Sequence, residues 1–356
     1  MAGHAVLFDT NNALTRKKWA KELYRVILPA TEFNDLVGSG SNSIIEMRTD
    51  LGKGEGDNIK FGIRLPLVAD GVVGTDTVEG NEEKLRFRNF SVTIEEINKA
   101  VDTGGRMDEQ RIPYSLMEEG KNGLQDWWAD FLSNYVFSVL CGDTSYKVSG
   151  VTFAQANVAP DAGHLLRVND VATDAAMTAA DTMDLTFLDR MKQIAEAPIL
   201  TGTYTAADKQ YKVRPIKIGG KDYYRVILHT LVFDKLRQNM NAGQWGDLLR
   251  SAGKLQQPNV EFEYNGLLVS KSNRIRPSST NASVYNNILL GCQAAVFAWG
   301  GAGESKSSTM SFVPYTADAE RYVMIRGGGI LGCKKVTFED VDFGVVVGRS
   351  WGERLT

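Results

Sequence analysis

Three histidines, three cysteines and two glycine-rich words are the first places to look for chemistry in this chain, and each is poorly arranged for it. His4, His164 and His229 are too few and too scattered for a histidine-rich metal site, and most nucleophile–base triads lose their base with them. Cys141, Cys292 and Cys333 are far apart, odd in number and never spaced as CxxC, which argues against a disulfide framework and a zinc site and fits a reducing compartment. The run Gly52 to Asp57 has the glycines of a phosphate loop but not its terminal Lys-Ser/Thr, and a strand pattern follows it where a helix would be needed. It reads as a turn. Gly327, Gly328 and Gly329 also read as a turn between strands, because no helix follows to present its N-terminus to a phosphate. His229 stands at a strand end and reads as a structural hydrogen-bonding residue.

What remains is the chemistry of association. Lys60, Arg64, Lys84, Arg86 and Arg88 flank a segment that holds Asp70, Asp76, Glu79, Glu82 and Glu83, so a basic stalk carries an acidic tip. The elements that position these charges follow from periodicity. Ile59, Phe61, Ile63, Leu65 and Leu67 alternate with Asn58, Lys60, Gly62, Arg64 and Pro66, the period-two pattern of a strand with one apolar face. A second strand carries Leu85 and Phe87 on one parity and Phe90, Val92 and Ile94 on the other, which predicts a bulge or corner between Phe87 and Phe90. The result is a long hairpin. A two-stranded ribbon with an apolar face is marginal in water unless something covers it, either the rest of its chain or a second copy; the expectation here is that the ribbon from Asn58 to Ile94 is left bare by its own polypeptide.

Ahead of the hairpin, Trp19, Leu23, Val26 and Ile27 recur at helical spacing among Arg16, Lys17, Lys18, Lys21 and Arg25 until Pro29. This is a surface helix of its own domain or an arm reaching a neighbour, and Arg16, Lys17, Trp19, Lys21 and Arg25 are its candidate contacts. After the hairpin, Ile112, Leu116, Leu124, Trp127, Trp128, Phe131, Tyr135 and Val139 share a stripe between Asp108 and Cys141. That spacing predicts a spine helix about 45 Å long, with Asp108 as N-cap, Pro113 in the first turn, and Gly120 and Gly123 weakening or bending its middle. Leu124, Trp127, Trp128, Phe131 and Tyr135 are read as core rather than as a ligand platform.

From Gly142 to Ala180 the chain is loop-rich, and regular structure resumes with a helix from about Asp184 to Ala195. Strands are expected at Tyr223 to Leu228, on both sides of Asn265 and Gly266 within Val260 to Ser270, at Gln293 to Trp299, and at Tyr322 to Ile325, Gly332 to Thr337 and Phe343 to Val347; a helix is expected at Val232 to Asn239. The fold class is α+β. With 356 residues and 43% hydrophobic content the chain can build a substantial core. Forty Lys plus Arg against 43 Asp plus Glu leave a formal charge of -3, without the basic excess that tracks phosphates. No basic-then-apolar leader opens it, and its apolar stretches, such as Leu289 to Trp299, are too short to cross a bilayer, so no membrane partner is expected.

The order of these elements and several local words resemble the major capsid proteins of tailed bacteriophages, specifically the phage N4 type, of the Hong Kong 97-like fold. The words are Glu79-Gly80-Asn81-Glu82-Glu83, Gly105 to Arg111, Arg214-Pro215-Ile216 leading through Gly220-Lys221 to Tyr224-Arg225-Val226-Ile227-Leu228-His229, then Asp234 to Arg237, Leu289 to Gly300 and Asp342 to Val345. Thr230 stands after His229 where that family more often has proline. The resemblance implies an N-terminal arm at 1–50, an extended hairpin loop at 51–100, a peripheral domain with the spine helix at 101–145 and again at 320–356, and an axial domain at 146–319. It implies a structural protein, not an enzyme, without cofactor, catalytic residue or metal. It also implies that copies assemble as pentamers and hexamers into an icosahedral head, in the bacterial host cytoplasm, around DNA bound without sequence preference. Portal and scaffolding or decoration proteins are implied partners, with scaffolding supplied by a separate chain or absent. Some members of that fold join loops by lysine–asparagine bonds, but Lys60 and Lys84 have no assignable asparagine or carboxylate partner. Two rivals are a cellular shell of the same fold carrying an enzyme cargo, and a soluble α+β hydrolase or lectin, which would need a convergent polar pocket.

Overall fold

The computed structural model describes residues 32–49, 57–64, 67, 71–74, 77–85, 87–105, 115–147, 150, 152–197, 212–240, 243–247, 259–301, 310–318, 322–338 and 340–354. Along the chain come β1 (Val37–Gly38), β2 (Ile45–Arg48), β3 (Asn58–Arg64), β4 (Phe87–Thr93), β5 (Glu95–Gly105) and the long helix α1 (Leu116–Cys141). Next are β6 (Leu165–Arg167), α2 (Leu185–Glu196), β7 (Ile216–Ile218), β8 (Lys221–His229), α3 (Thr230–Asn239), β9 (Phe262–Tyr264), β10 (Leu267–Ser272) and β11 (Val284–Leu290). The last strands are β12 (Ala295–Trp299), β13 (Met310–Ala317), β14 (Tyr322–Lys335), β15 (Thr337–Phe338), β16 (Val341–Asp342) and β17 (Val345–Trp351).

Two sheets organise the described residues. One has six strands in the order β1-β2-β12-β14-β13, with β5 on the other edge of β14; the other has seven, β6-β17-β11-β8-β10-β9, with β7 added to β8. They share one apolar core with α1, to which Phe297, Leu331 and Cys333 contribute from the first sheet and Ile227, Ile288 and Val347 from the second. A second core under the seven-stranded sheet takes Phe187, Leu188 and Met191 of α2 and Val232, Phe233 and Leu236 of α3. The α+β class and the strand expectations around Asn265–Gly266 are met: β9 and β10 pair Tyr264 with Leu267 across those two residues, whose φ values of 46° and 74° are those of a two-residue hairpin turn.

Three expectations are corrected. The helix α1 begins at Leu116, with Ser115 accepting from the Glu118 N–H as N-cap, so its 26 residues span about 39 Å. Asp108 and Pro113 lie outside the described residues. It is one helix through Gly120, whose missing Cβ is what lets it approach β5: a Cβ there would stand 2.7 Å from Thr103 Cγ2. It closes on Gly142 in the left-handed conformation (φ 66°), whose N–H is given to the Ser138 and Val139 carbonyls.

The glycine triplet is not a turn. Gly327, Gly328 and Gly329 sit in the middle of β14, paired with Phe312, Ser311 and Met310 on one side and Lys99, Asn98 and Ile97 on the other. The helix explains the first: a Cβ on Gly327 would lie 2.8 Å from Leu124 Cδ2 and 2.9 Å from Trp128 Nε1, while one on Gly328 would meet the Asn98 side chain of β5. Side chains from α1 fill the space that a strand side chain would take. The parity switch in the hairpin is not a bulge either, since β3 and β4 keep an unbroken register from Asn58↔Thr93 to Arg64↔Phe87. Phe87 simply faces the other way from Phe90.

Candidate assembly surface: the projecting hairpin

The hairpin formed by β3 and β4 divides into a covered base and a bare distal half. At the base, Phe61 and Phe90 are directly opposed in register with ring centroids 5.9 Å apart, and Phe338 meets Phe90 edge-on at 6.1 Å. Phe90 and Val92 are buried with Val296, Ala298, Val336 and Phe338. Polar contacts fix the same end: the Ile94 N–H donates to the Asp57 carbonyl, Asn58 Nδ2 to Thr93 Oγ1 at 3.0 Å, and Lys334 Nζ to the Ser91 carbonyl at 3.0 Å while lying over the Phe90 ring. The expectation that its own polypeptide leaves the ribbon bare is therefore corrected for this half. A strand face that alternates Phe and Val is covered wherever the six-stranded sheet passes beneath it.

Beyond the base the apolar side chains have no such cover. Leu67, Val73, Val78, Leu85 and Phe87 are exposed, Val73 by 81% and Phe87 by 65%. Lys60, Arg64, Glu79, Glu82 and Lys84 are exposed beside them, and Glu83 and Arg88 are partly covered. Asp70, Asp76 and Arg86 lie outside the described residues. The tip is a hydrogen-bonded turn: Gly80 N–H donates to Glu82 Oε2 at 2.9 Å, and Asn81 Nδ2 to the Thr77 carbonyl at 2.9 Å. Exposed aliphatic and aromatic groups gathered in one element are the kind of surface on which proteins associate.

The spine residues lie together along α1. Leu124, Trp128, Phe131 and Tyr135 are buried and Trp127 is half-buried with Lys99 Nζ 5.4 Å over its ring. Trp127 stacks on Phe131 at 5.1 Å and Phe131 on Tyr135 at 5.9 Å, while Tyr135 Oη accepts from the Cys333 N–H at 3.1 Å. Burial pushes the Tyr135 phenol well above its ordinary range, so it stays a neutral hydrogen-bonding group. The three cysteines are buried without disulfides, and burial pushes Cys141 up to about 12 and Cys333 higher still.

The arm contacts Arg16, Lys17, Trp19, Lys21 and Arg25 lie outside the described residues, but the chain that follows them is clasped. Glu32 accepts from Ser272 Oγ at 2.7 Å and Arg274 Nε at 3.2 Å, Arg274 also holds Asp130 of α1, and Asp35 pairs with the buried Arg225 at 3.1 Å. Sequence reasoning missed this clasp, because nothing local ties Glu32 to residues more than two hundred positions away. Cavities of about 240 and 280 Å³ flank Arg225, whose guanidinium is already engaged by Asp35 and the Asn259 carbonyl. Among the described residues no group of three or more His, Cys, Asp or Glu is placed to hold a metal, and no helix is long and apolar enough to cross a membrane.

Two sheets share one core with a long helix that lies against the glycine-bearing strand β14, and the distal half of the hairpin carries exposed apolar side chains. The structure is similar to that of the capsid of Ralstonia phage GP4, with a TM-score of 0.78, 22% identity and full coverage of both chains. It is also similar to the capsid asymmetric unit of cyanophage Pam1, with a TM-score of 0.69 and 18% identity over 91% of this chain and 93% of that one. The family model for phage capsid protein matches residues 8–350, and the chain belongs to that family. The major capsid protein of Pseudomonas phage KPP25 is 28% identical over 238 residues, a match spanning 62% of this chain and 60% of that relative's length.

Proposed function

We propose that the chain is the major capsid protein of a tailed double-stranded DNA phage, and that copies of it, as pentamers and hexamers, build the icosahedral head around the packaged genome. The observation that carries this is the bare distal half of the hairpin on a subunit of the capsid family. Leu67, Val73, Val78, Leu85 and Phe87 gain roughly 25 cal/mol for each Å² of apolar surface that a neighbouring copy covers. Lys60, Arg64, Lys84 and Arg88 along the stalk, and Glu79, Glu82 and Glu83 at the tip, set the register of that contact through complementary charge on the neighbour. Each contact is modest. Several made at once by every subunit make the shell durable.

In this reading residues 1–50 act as an arm to the next subunit up to Glu32, after which β1 and β2 join the subunit's own sheet; 51–100 act as the extended loop, 101–145 and 320–356 as the peripheral domain except for β17, which joins the seven-stranded sheet, and 146–319 as the axial domain except for β12 and β13, which join the six-stranded one. The role is structural, without catalysis. Portal and scaffolding or decoration proteins are its further partners, and the phage N4 type is the subgroup its sequence words favour. The formal charge of -3 suits a liner that leaves packaged DNA unbound.

Electron microscopy and sedimentation of the expressed full chain test the proposal. Closed shells, or sheets and tubes of regular subunits, are the expected outcome. A monodisperse monomer at every concentration sinks it, and tight, steeply salt-dependent binding of duplex DNA sinks the liner role.

A further inference from the structure

A fully buried ion pair sits where the two sheets meet. Lys335 ends β14 of the six-stranded sheet, and Asp342 ends β16, just before β17 of the seven-stranded sheet. Their side chains are 0% and 1% exposed, and Nζ lies 2.6 Å from Oδ1 and 2.8 Å from Oδ2. The segment that leads into β6 closes the site. The Ala159 carbonyl accepts from Lys335 Nζ at 3.3 Å, and the Asp161 N–H donates to Asp342 Oδ2 at 3.3 Å. Asp161 Oδ1 in turn meets Nδ1 of the buried His164 at 2.7 Å, and the His164 carbonyl accepts from the Val347 N–H of β17 at 2.8 Å. One chain of polar contacts thus runs from the last residue of β14 into the other sheet.

The core that the sheets share holds them together, but apolar attraction has no preferred direction. Charges removed from water have one, and they cost desolvation to install; burial pushes the Asp342 carboxyl up even with Lys335 opposing it. An apolar pair of similar volume would hold the joint as well or better. The cluster is therefore poorly explained as a source of stability and well explained as a source of geometry. We propose that Lys335 and Asp342, oriented by the Ala159–His164 segment, are positioning residues that fix the angle between the two sheets, and through it the curvature of the shell. The first half concerns the isolated subunit; the second rests on the shell reading above.

The test replaces the pair by apolar residues, Lys335→Met with Asp342→Leu in one chain, beside the single variant Lys335→Met. The double variant is expected to melt at or above the parent's temperature. Its unassembled subunit should give an X-ray scattering profile that needs a spread of sheet orientations, where one orientation fits the parent, and its assemblies should show mixed diameters. A double variant with the parent's scattering profile and a single shell diameter overturns the inference. So does one that fails to fold or melts as low as the single variant, because the pair would then be holding the fold rather than aiming it. If the parent itself forms no shell, the functional reading fails, while scattering from the isolated subunit still decides the sheet angle.

Discussion

Phe87 and Phe90 lie in the same short strand, yet Phe90 is 4% exposed and Phe87 is 65% exposed. The strand register between them is unbroken, so the difference is not one of local conformation. It is a difference in what stands opposite. Phe90 meets Phe338 and Val336 of its own chain, and Phe87 meets nothing comparable among the described residues. One ribbon thus buries Phe90 in the subunit's own core and leaves Phe87 exposed. Phe90 faces the six-stranded sheet, and Phe87, an odd number of residues away, faces the other side of the ribbon.

That contrast is sharpest when the covered end is emptied. Phe90→Ala removes a buried ring and is expected to cost the unassembled subunit about 3 kcal/mol, read from urea denaturation at low protein concentration. A loss under 1 kcal/mol would mean that the base is not part of the core. Next in size is Gly332→Ala, where the new Cβ would stand 2.2 Å from the Thr93 carbonyl at the hairpin's return into the sheet. Overpacking of this kind costs about 1–3 kcal/mol, and amide exchange should quicken in β4 and β14 together. Phe87→Ser, by contrast, should leave the subunit's stability within about 0.5 kcal/mol while lowering the yield of assembled particles by sedimentation. Equal folding losses from Phe87→Ser and Phe90→Ala would erase the distinction.

The smallest effect is expected far from the hairpin, at His229. Its ring stacks 3.8 Å from Tyr285, its Nδ1 accepts from the Leu231 N–H to cap α3, and burial pulls it down to about 4. Protonation would remove that acceptor lone pair, so the unfolded chain, with an ordinary imidazole, takes up the proton first. This contribution to stability is present above about pH 6.5 and falls as the pH drops toward 4. Melting temperature recorded from pH 7 to 4 should fall less steeply for His229→Asn, which keeps a capping oxygen without titrating.

The hairpin, the spine helix and strands such as β8, β9, β10 and β12 were legible because their signals are local. Period-two alternation from Asn58, a three-and-four stripe through Trp127, Trp128 and Phe131, and Asn265–Gly266 between apolar runs each state a conformation within a few residues. What the sequence hid depends on partners distant in the chain. The glycines at 327–329 look like a turn until Leu124 and Trp128 are seen lying on Gly327 and Asn98 on Gly328, and Glu95–Gly105 is too charged to read as a strand until β14 is found beside it. The base of the hairpin looked bare for the same reason, since Val296, Ala298 and Phe338 lie far along the chain. The Lys335–Asp342 pair carries no spacing rule at all.

With Cys141, Cys292 and Cys333 all sealed inside and the Cys141 thiol held up to about 12, the native protein offers thiol reagents almost nothing to react with. A single cysteine introduced at Val73 would consequently be an addressable handle, so that a fluorophore at the hairpin tip, bright in water and quenched on contact, becomes a clock for subunits closing on one another.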